Sequence, residues 1–148
     1  TETGVYFGSA SGGVTTWTAK NTGLSGTDLQ VNDVAIDPAT QTWAEASKVI
    51  WRATDGGVQV SLDGGATWTE KNPASVSNQW SDAVAPTVAD LNFTELLFAD
   101  DKLFVSATWQ NASSAWRSWI FYTDDFPAVR ASSGATVTWT QLTTGWDD

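Results

Sequence analysis

Two sets of side chains have the types and spacing for chemistry: a group of tryptophans and several paired aspartates. Trp80, Trp109, Trp116 and Trp119 lie close along the chain, with Asp82, Asp90 and Arg117 nearby. An indole face suits a pyranose ring, whose apolar C–H face stacks on it while adjacent polar groups orient the hydroxyls. Trp80, Asp82, Trp109, Trp116, Arg117 and Trp119 are therefore the candidate ligand-binding residues. The same rings would serve equally to pack sheets together or to seal an interface with a partner. Asp100-Asp101, Asp124-Asp125 and Asp147-Asp148 offer oxygen ligands for calcium, but none has the spacing of a calcium loop. Two carboxylates about 5–9.5 Å apart across a glycosidic bond would make a glycoside hydrolase. No spacing here sets two of them opposite each other, and solvated turn carboxylates are the simpler account. No catalytic residue, metal ligand or cofactor is assigned.

Composition removes other chemistries. The 148 residues contain no histidine and no cysteine. The usual proton shuttle, the commonest transition-metal ligand, the disulfide and the thiolate nucleophile are all missing. The formal net charge is −10, with no cluster of Lys or Arg. A nucleic-acid backbone therefore finds nothing to neutralise it, and an anionic membrane surface repels the chain. No apolar run approaches the ~20 residues of a membrane-spanning helix. No signal peptide is visible, and the missing initiator Met predicts a processed product or a fragment. Asn92-Phe93-Thr94 and Asn111-Ala112-Ser113 match glycosylation sequons, a weak signal.

The elements that would position these residues are strands. Glycines and short polar clusters punctuate apolar runs of strand length, and no segment sustains a helical period. Ser61-Leu62-Asp63-Gly64-Gly65-Ala66-Thr67-Trp68 is a corner with a physical rationale. Asp63 can accept from the backbone N–H groups that follow it, Gly64 and Gly65 tolerate φ > 0, and Trp68 can fold back over the turn. Ser61, Asp63, Gly65 and Trp68 are its structural residues. Thr-Trp-Thr occurs at 16–18, 67–69 and 138–140, so the tryptophans are 51 and 71 residues apart. A spacing of ~40–50 residues is that of one four-stranded propeller blade. Aligning Val34 with Leu96 and Ser61 with Thr123 places the extra length in two insertions, one before Leu96 and one between Thr123 and Trp139. Ser9-Ala10-Ser11-Gly12-Gly13 reads as a degraded copy of the corner, with Ser11 where Asp63 stands. Thr123-Asp124-Asp125 keeps the start of the corner and then runs into the insertion.

Expected strands are Gly4–Gly8 and Val14–Lys20; then Val31–Asp37, Lys48–Thr54, Gly57–Asp63 and Thr67–Lys71; then Phe93–Phe98, Leu103–Thr108, Ser118–Tyr122 and Thr136–Leu142. The long segments 74–92 and 109–117 are expected as loops that carry the tryptophans.

The 61–68 pattern, with Val31-Asn32-Asp33-Val34-Ala35-Ile36-Asp37-Pro38, Lys48-Val49-Ile50-Trp51 and Thr54-Asp55-Gly56-Gly57-Val58, resembles the Asp-box (BNR) repeat of β-propellers. Sialidases, sortilin-type domains, photosystem assembly propellers and secreted xyloglucanases share such repeats. The resemblance implies an all-β chain of four-stranded antiparallel blades, about two and a half of them. Residues 1–30 would end one blade, 31–73 form a complete blade, and 74–148 form another with insertions. An open pair of blades leaves edges uncovered, so the expected partners are further blades or identical subunits, together with a glycan. The resemblance does not reach the sialidase site: the only arginines are Arg52, Arg117 and Arg130, with no Arg-Ile-Pro-like start. The basic patch of the photosystem propellers is also missing. Gly145-Trp146-Asp147-Asp148 is faintly similar to xyloglucanase segments. The expected function is a non-catalytic structural or binding module, extracellular or on a cell surface, virion or appendage. The alternative is part of a secreted polysaccharide hydrolase.

Overall fold

The computed structural model describes residues 4–11, 14–41, 47–80 and 84–143. They form three antiparallel sheets in chain order. Strands β1 (Tyr6–Ser11) and β2 (Val14–Ala19) make a hairpin. Strands β3 (Val31–Ile36), β4 (Ile50–Thr54), β5 (Gly57–Ser61) and β6 (Thr69–Glu70) make a four-stranded meander. Strands β7 (Asn92–Ala99), β8 (Lys102–Gln110), β9 (Trp116–Thr123) and β10 (Thr140–Gln141) make a second meander in the same order. None of the three sheets closes on itself.

The two meanders repeat each other in detail. Both first strands carry a bulge, between Val31 and Asp33 and between Phe93 and Glu95. Ser61 and Thr123 end the third strands opposite Ile50 and Leu103. The fourth strands continue the ladder one step further: Lys71 N donates to Val58 O at 2.7 Å and Leu142 N to Ile120 O at 2.8 Å. The first hairpin follows the same rule, since Lys20 N donates to Val5 O at 2.8 Å. Asn21 and Asn72 also do the same work, each accepting from a backbone N–H, of Val5 at 2.8 Å and of Val58 at 2.6 Å.

One core lies between the meanders. Trp51, Ala53, Val58 and Val60 project from β4 and β5 against Phe93, Leu103, Val105 and Phe121, all but fully buried. Alternation along extended strands puts these residues on one face each. Polar ties accompany the packing. Asn32 Nδ2 donates to Phe93 O, and Leu96 N donates to Asp33 Oδ2, both at 2.8 Å. The opposite face of β4 and β5 is buried but polar. There Arg52 Nε donates to Gln59 Oε1 at 3.1 Å, and Gln59 Nε2 donates to Asp28 Oδ1 at 2.8 Å. The Arg52 guanidinium lies 4.5 Å from the Trp68 ring centre, and burial lowers its pKa to about 10 despite nearby Asp28.

Three expectations are corrected. Ser9, Ala10 and Ser11 form no corner: they pair with Thr16, Thr15 and Val14, so β1 and β2 run on as a plain hairpin. Gly12 and Gly13 lie outside the described residues. The insertion after Asp125 holds a helix, α1 (Phe126–Ala131), and the strand expected over Thr136–Leu142 shrinks to Thr140–Gln141. Trp109, Gln110, Trp116 and Arg117 are not loop residues. β8 and β9 extend through them, pairing Trp109 with Arg117 and Gln110 with Trp116.

Candidate functional site

The corner at 61–68 is a closed hydrogen-bond system. Ser61 Oγ accepts from Gly65 N at 2.7 Å and donates to Asp63 Oδ1 at 2.8 Å. Asp63 accepts from Thr67 N at 2.8 Å and from Thr67 Oγ1 at 2.7 Å. Gly64 and Gly65, at φ +67° and +89°, occupy the left-handed region that this path requires. Desolvation acts to raise the Asp63 pKa, but the hydrogen bonds from Thr67, Ser61 and Ala66 outweigh it and hold the carboxyl below its ordinary value. Trp68 is then placed so that its indole Nε1 donates to Lys20 O at 2.8 Å, one sheet back.

The same clamp operates around the helix. Asp125 N donates to Thr123 Oγ1 at 3.1 Å, and Thr138 N donates to Asp125 Oδ2 at 2.6 Å. Trp139 Nε1 donates to Lys71 O at 2.7 Å, again one sheet back, and its ring meets Trp51 edge-on at 6.5 Å. Asp125 and Asp63 thus hold peptide groups of their own turns. Their geometry is that of a structural clamp.

The tryptophan cluster sits on the extended β8–β9 hairpin. Trp109, Arg117 and Trp119 share one face by pairing and alternation. Trp119 is 2% exposed; its Nε1 donates to Ser77 O at 3.1 Å, and its ring meets Trp80 at 4.9 Å and Trp109 at 6.5 Å. The Arg117 guanidinium stacks 5.5 Å from the Trp80 ring. Beside this stack lies a cavity of about 270 Å³ lined by Gln79, Trp80, Trp116, Arg117, Ser118, Trp119, Ile120 and Leu142. Trp116 is 60% exposed. Of the candidate residues, Trp80, Trp116 and Arg117 border the open cavity. Trp119 also lines it but is almost wholly buried, Trp109 packs against Trp119, and Asp82 lies outside the described residues. Asp147, Asp148 and Trp146 lie outside them too.

A second cavity, of about 240 Å³, escaped sequence reasoning. Asp37, Phe98, Asp100, Asp101, Phe126 and Arg130 are among its lining residues. Arg130 grips the fully buried Asp37 through Nε and Nη2, at 2.8 and 2.9 Å. Asp37 Oδ1 also accepts from Ala39 N at 2.9 Å. The pair is mutually satisfied, and it pins α1 to the turn after β3. Asp100 and Asp101 carry φ of +49° and +55° in the two-residue turn between β7 and β8. That is the backbone of a type I′ hairpin turn. No group of three or more potential metal ligands occurs among the described residues.

Comparisons with protein-family models, with curated proteins and with solved structures find no match to this chain.

Proposed function

We propose that this chain is a run of Asp-box propeller blades acting as a non-catalytic binding module outside the cell or on a surface appendage. One observation carries the reading. At each four-stranded unit an aspartate-clamped corner ends in a tryptophan whose N–H reaches the carbonyl of the sheet before it. Such a tie stacks units in series, and serial stacking of like sheets is how propellers and other repeat folds build a core. The cavity bordered by Trp80, Trp116 and Arg117 supplies the contact surface. Its exposed indole offers a flat apolar face beside polar groups, which fits a neutral sugar ring.

The test is titration with xyloglucan and cello-oligosaccharides, followed by tryptophan fluorescence and calorimetry. Saturable binding with no release of reducing ends, lost in Trp116→Ala, supports the module. No binding to any glucan removes the glycan reading. Released reducing ends that disappear when aspartates are changed would assign a polysaccharide hydrolase instead.

A further inference from the structure

We infer that the open face of the second meander, bearing Leu97, Phe104, Ile120 and Tyr122, is a docking surface for one further four-stranded unit of the same repeat. The inference rests on the repeat reading above; the face shares Ile120 and Leu142 with the cavity beside Trp116, so a docked unit would cover part of that cavity.

The register fixes which residues correspond. Pairing Ser61 with Thr123 and Val34 with Leu96 makes Trp51, Val58 and Val60 the counterparts of Phe104, Ile120 and Tyr122. In the first meander those three positions are 0%, 0% and 1% exposed, because the second meander covers them. In the second meander all three are half-buried, and Leu97 beside them is 61% exposed. The face lines a largely apolar cavity of about 290 Å³ between Leu97, Phe104, Ile120 and Leu142, with Glu95 and Ser106 at its edge. It therefore continues the sheet-to-sheet interface already present between the two meanders. The polar half of the interface is ready as well. The acceptors for Trp68 and Trp139 are the carbonyls of Lys20 and Lys71. By the shared ladder bonds to Val5, Val58 and Ile120, the next acceptor in the series is Leu142 O. It already accepts from Gln79 Nε2 at 2.9 Å, which leaves one lone pair for an incoming indole.

The occupant must bring a complete sheet. Strand β7 is what lies against β3, β4 and β5. A second copy of this chain would present its β1–β2 hairpin, whose strands correspond to β5 and β6. That hairpin brings no counterpart of β7. The same shortage shows at the other end: Val34 on β3 is 44% exposed, whereas its counterpart Leu96 is 8% exposed against the first meander. A hairpin alone does not cover the inner strand. Trp17, which holds the place of Trp68 and Trp139 in the Thr-Trp-Thr series, is 67% exposed.

The experiment joins a duplicate of residues 73–143 after Thr143 of the full chain, since Leu142-Thr143 corresponds to Lys71-Asn72. Carbene footprinting with mass spectrometry then reads Leu97, Phe104 and Ile120 in the original unit. Their labelling is expected to fall several-fold, to the level of Val58 and Trp51, and to return in Ile120→Glu. Labelling that stays at the level of the unextended chain overturns the proposal, whether or not the added unit folds. The unextended chain is run in parallel by sedimentation across a concentration series. A monomer with Ile120 labelled is expected; an oligomer that protects Ile120 and dissociates in Ile120→Glu would make a second copy the occupant and overturn the choice made here. The repeat reading is tested separately by Trp139→Phe, which needs no added unit. It should lower stability through loss of the bond to Lys71 O, and an unchanged stability would sink that reading alone.

Discussion

Removing the Asp63 carboxylate isolates the clamp from the rest of the fold. Asp63→Ala deletes three hydrogen bonds, from Ser61 Oγ, Thr67 N and Thr67 Oγ1. A charged acceptor strengthens each of them, but the Thr67 end is exposed and water replaces part of what is lost. At about 0.5–1 kcal/mol apiece the loss comes to about 1.5–3 kcal/mol. Asp125→Ala removes one comparable bond, from Thr138 N, and Thr123 keeps its own bond to the 125 backbone. Its cost should stay near 0.5–1 kcal/mol. Urea denaturation at pH 7 measures both. The pH dependence has a defined sign. The Asp63 pKa is lowered in the folded state, so its contribution is present above the ordinary value of 3.8 and is lost as pH falls through the lowered folded value. Asp63→Asn should therefore show a shallower loss of stability below about pH 4 than the parent. An Asp63→Ala change within 0.5 kcal/mol of the parent, or an Asp125→Ala cost larger than the Asp63→Ala cost, would refute the clamp as the source of corner stability.

Three further perturbations have defined outcomes. Arg130→Ala leaves the buried Asp37 carboxylate without its cation and should cost about 3–5 kcal/mol by urea denaturation, with Asp37→Asn in the same background recovering part of it. Gly57→Ala drives a Cβ into the Asn72 side-chain amide at a φ of +145°, so it should destabilise by more than about 2 kcal/mol, whereas Gly26→Ala, with open space around it, should cost less. Asp101→Gly relieves a left-handed non-glycine in the β7–β8 turn and should raise stability by about 0.5–1 kcal/mol; a loss would mean that the Asp101 side chain holds the turn.

Much of the strand order was legible because repetition amplifies a weak local signal. The Thr-Trp-Thr triplets and the equal intervals from Val34 to Ser61 and from Leu96 to Thr123 located both meanders to within a few residues. Helix α1 leaves no periodic signal, because six residues are too few to show a helical period. Its start did carry a signal: Asp125 precedes it and Pro127 sits in its first turn, where a missing N–H costs nothing. The β8–β9 extension has a weak signature, because tryptophan and arginine suit a binding loop as well as a strand. Trp116-Arg117-Ser118-Trp119-Ile120-Phe121-Tyr122 is equally a run of strand-forming aromatics, and Asn111 supplies the turn by accepting from Ser113 N and Ala115 N. The Asp37–Arg130 pair joins residues 93 positions apart and has no local signature at all. In the candidate site, residue type identified the tryptophans. Only the fold separated Trp119, which is spent on packing, from Trp116, which faces solvent.

The two corners together explain why the repeat tolerates insertions where it does. The clamp needs a hydroxyl at the end of the third strand, a carboxylate two residues on, and a Thr-Trp pair at the start of the fourth. It does not need the segment between the carboxylate and that pair to be short. In the first unit, Gly64-Gly65-Ala66 spans the gap. In the second, α1 and the turn after it span the gap, and Thr138 N still reaches Asp125 Oδ2. The helix is then held from outside the corner, by Arg130 on Asp37 and by Lys71 Nζ donating to Ala135 O at 2.6 Å. Both anchors lie on the preceding meander. An insertion placed there adds contacts between neighbouring units while leaving the indole at the distance that ties one sheet to the next. The clamp, and not the length of the segment it spans, therefore sets where Trp68 and Trp139 meet the sheet before them.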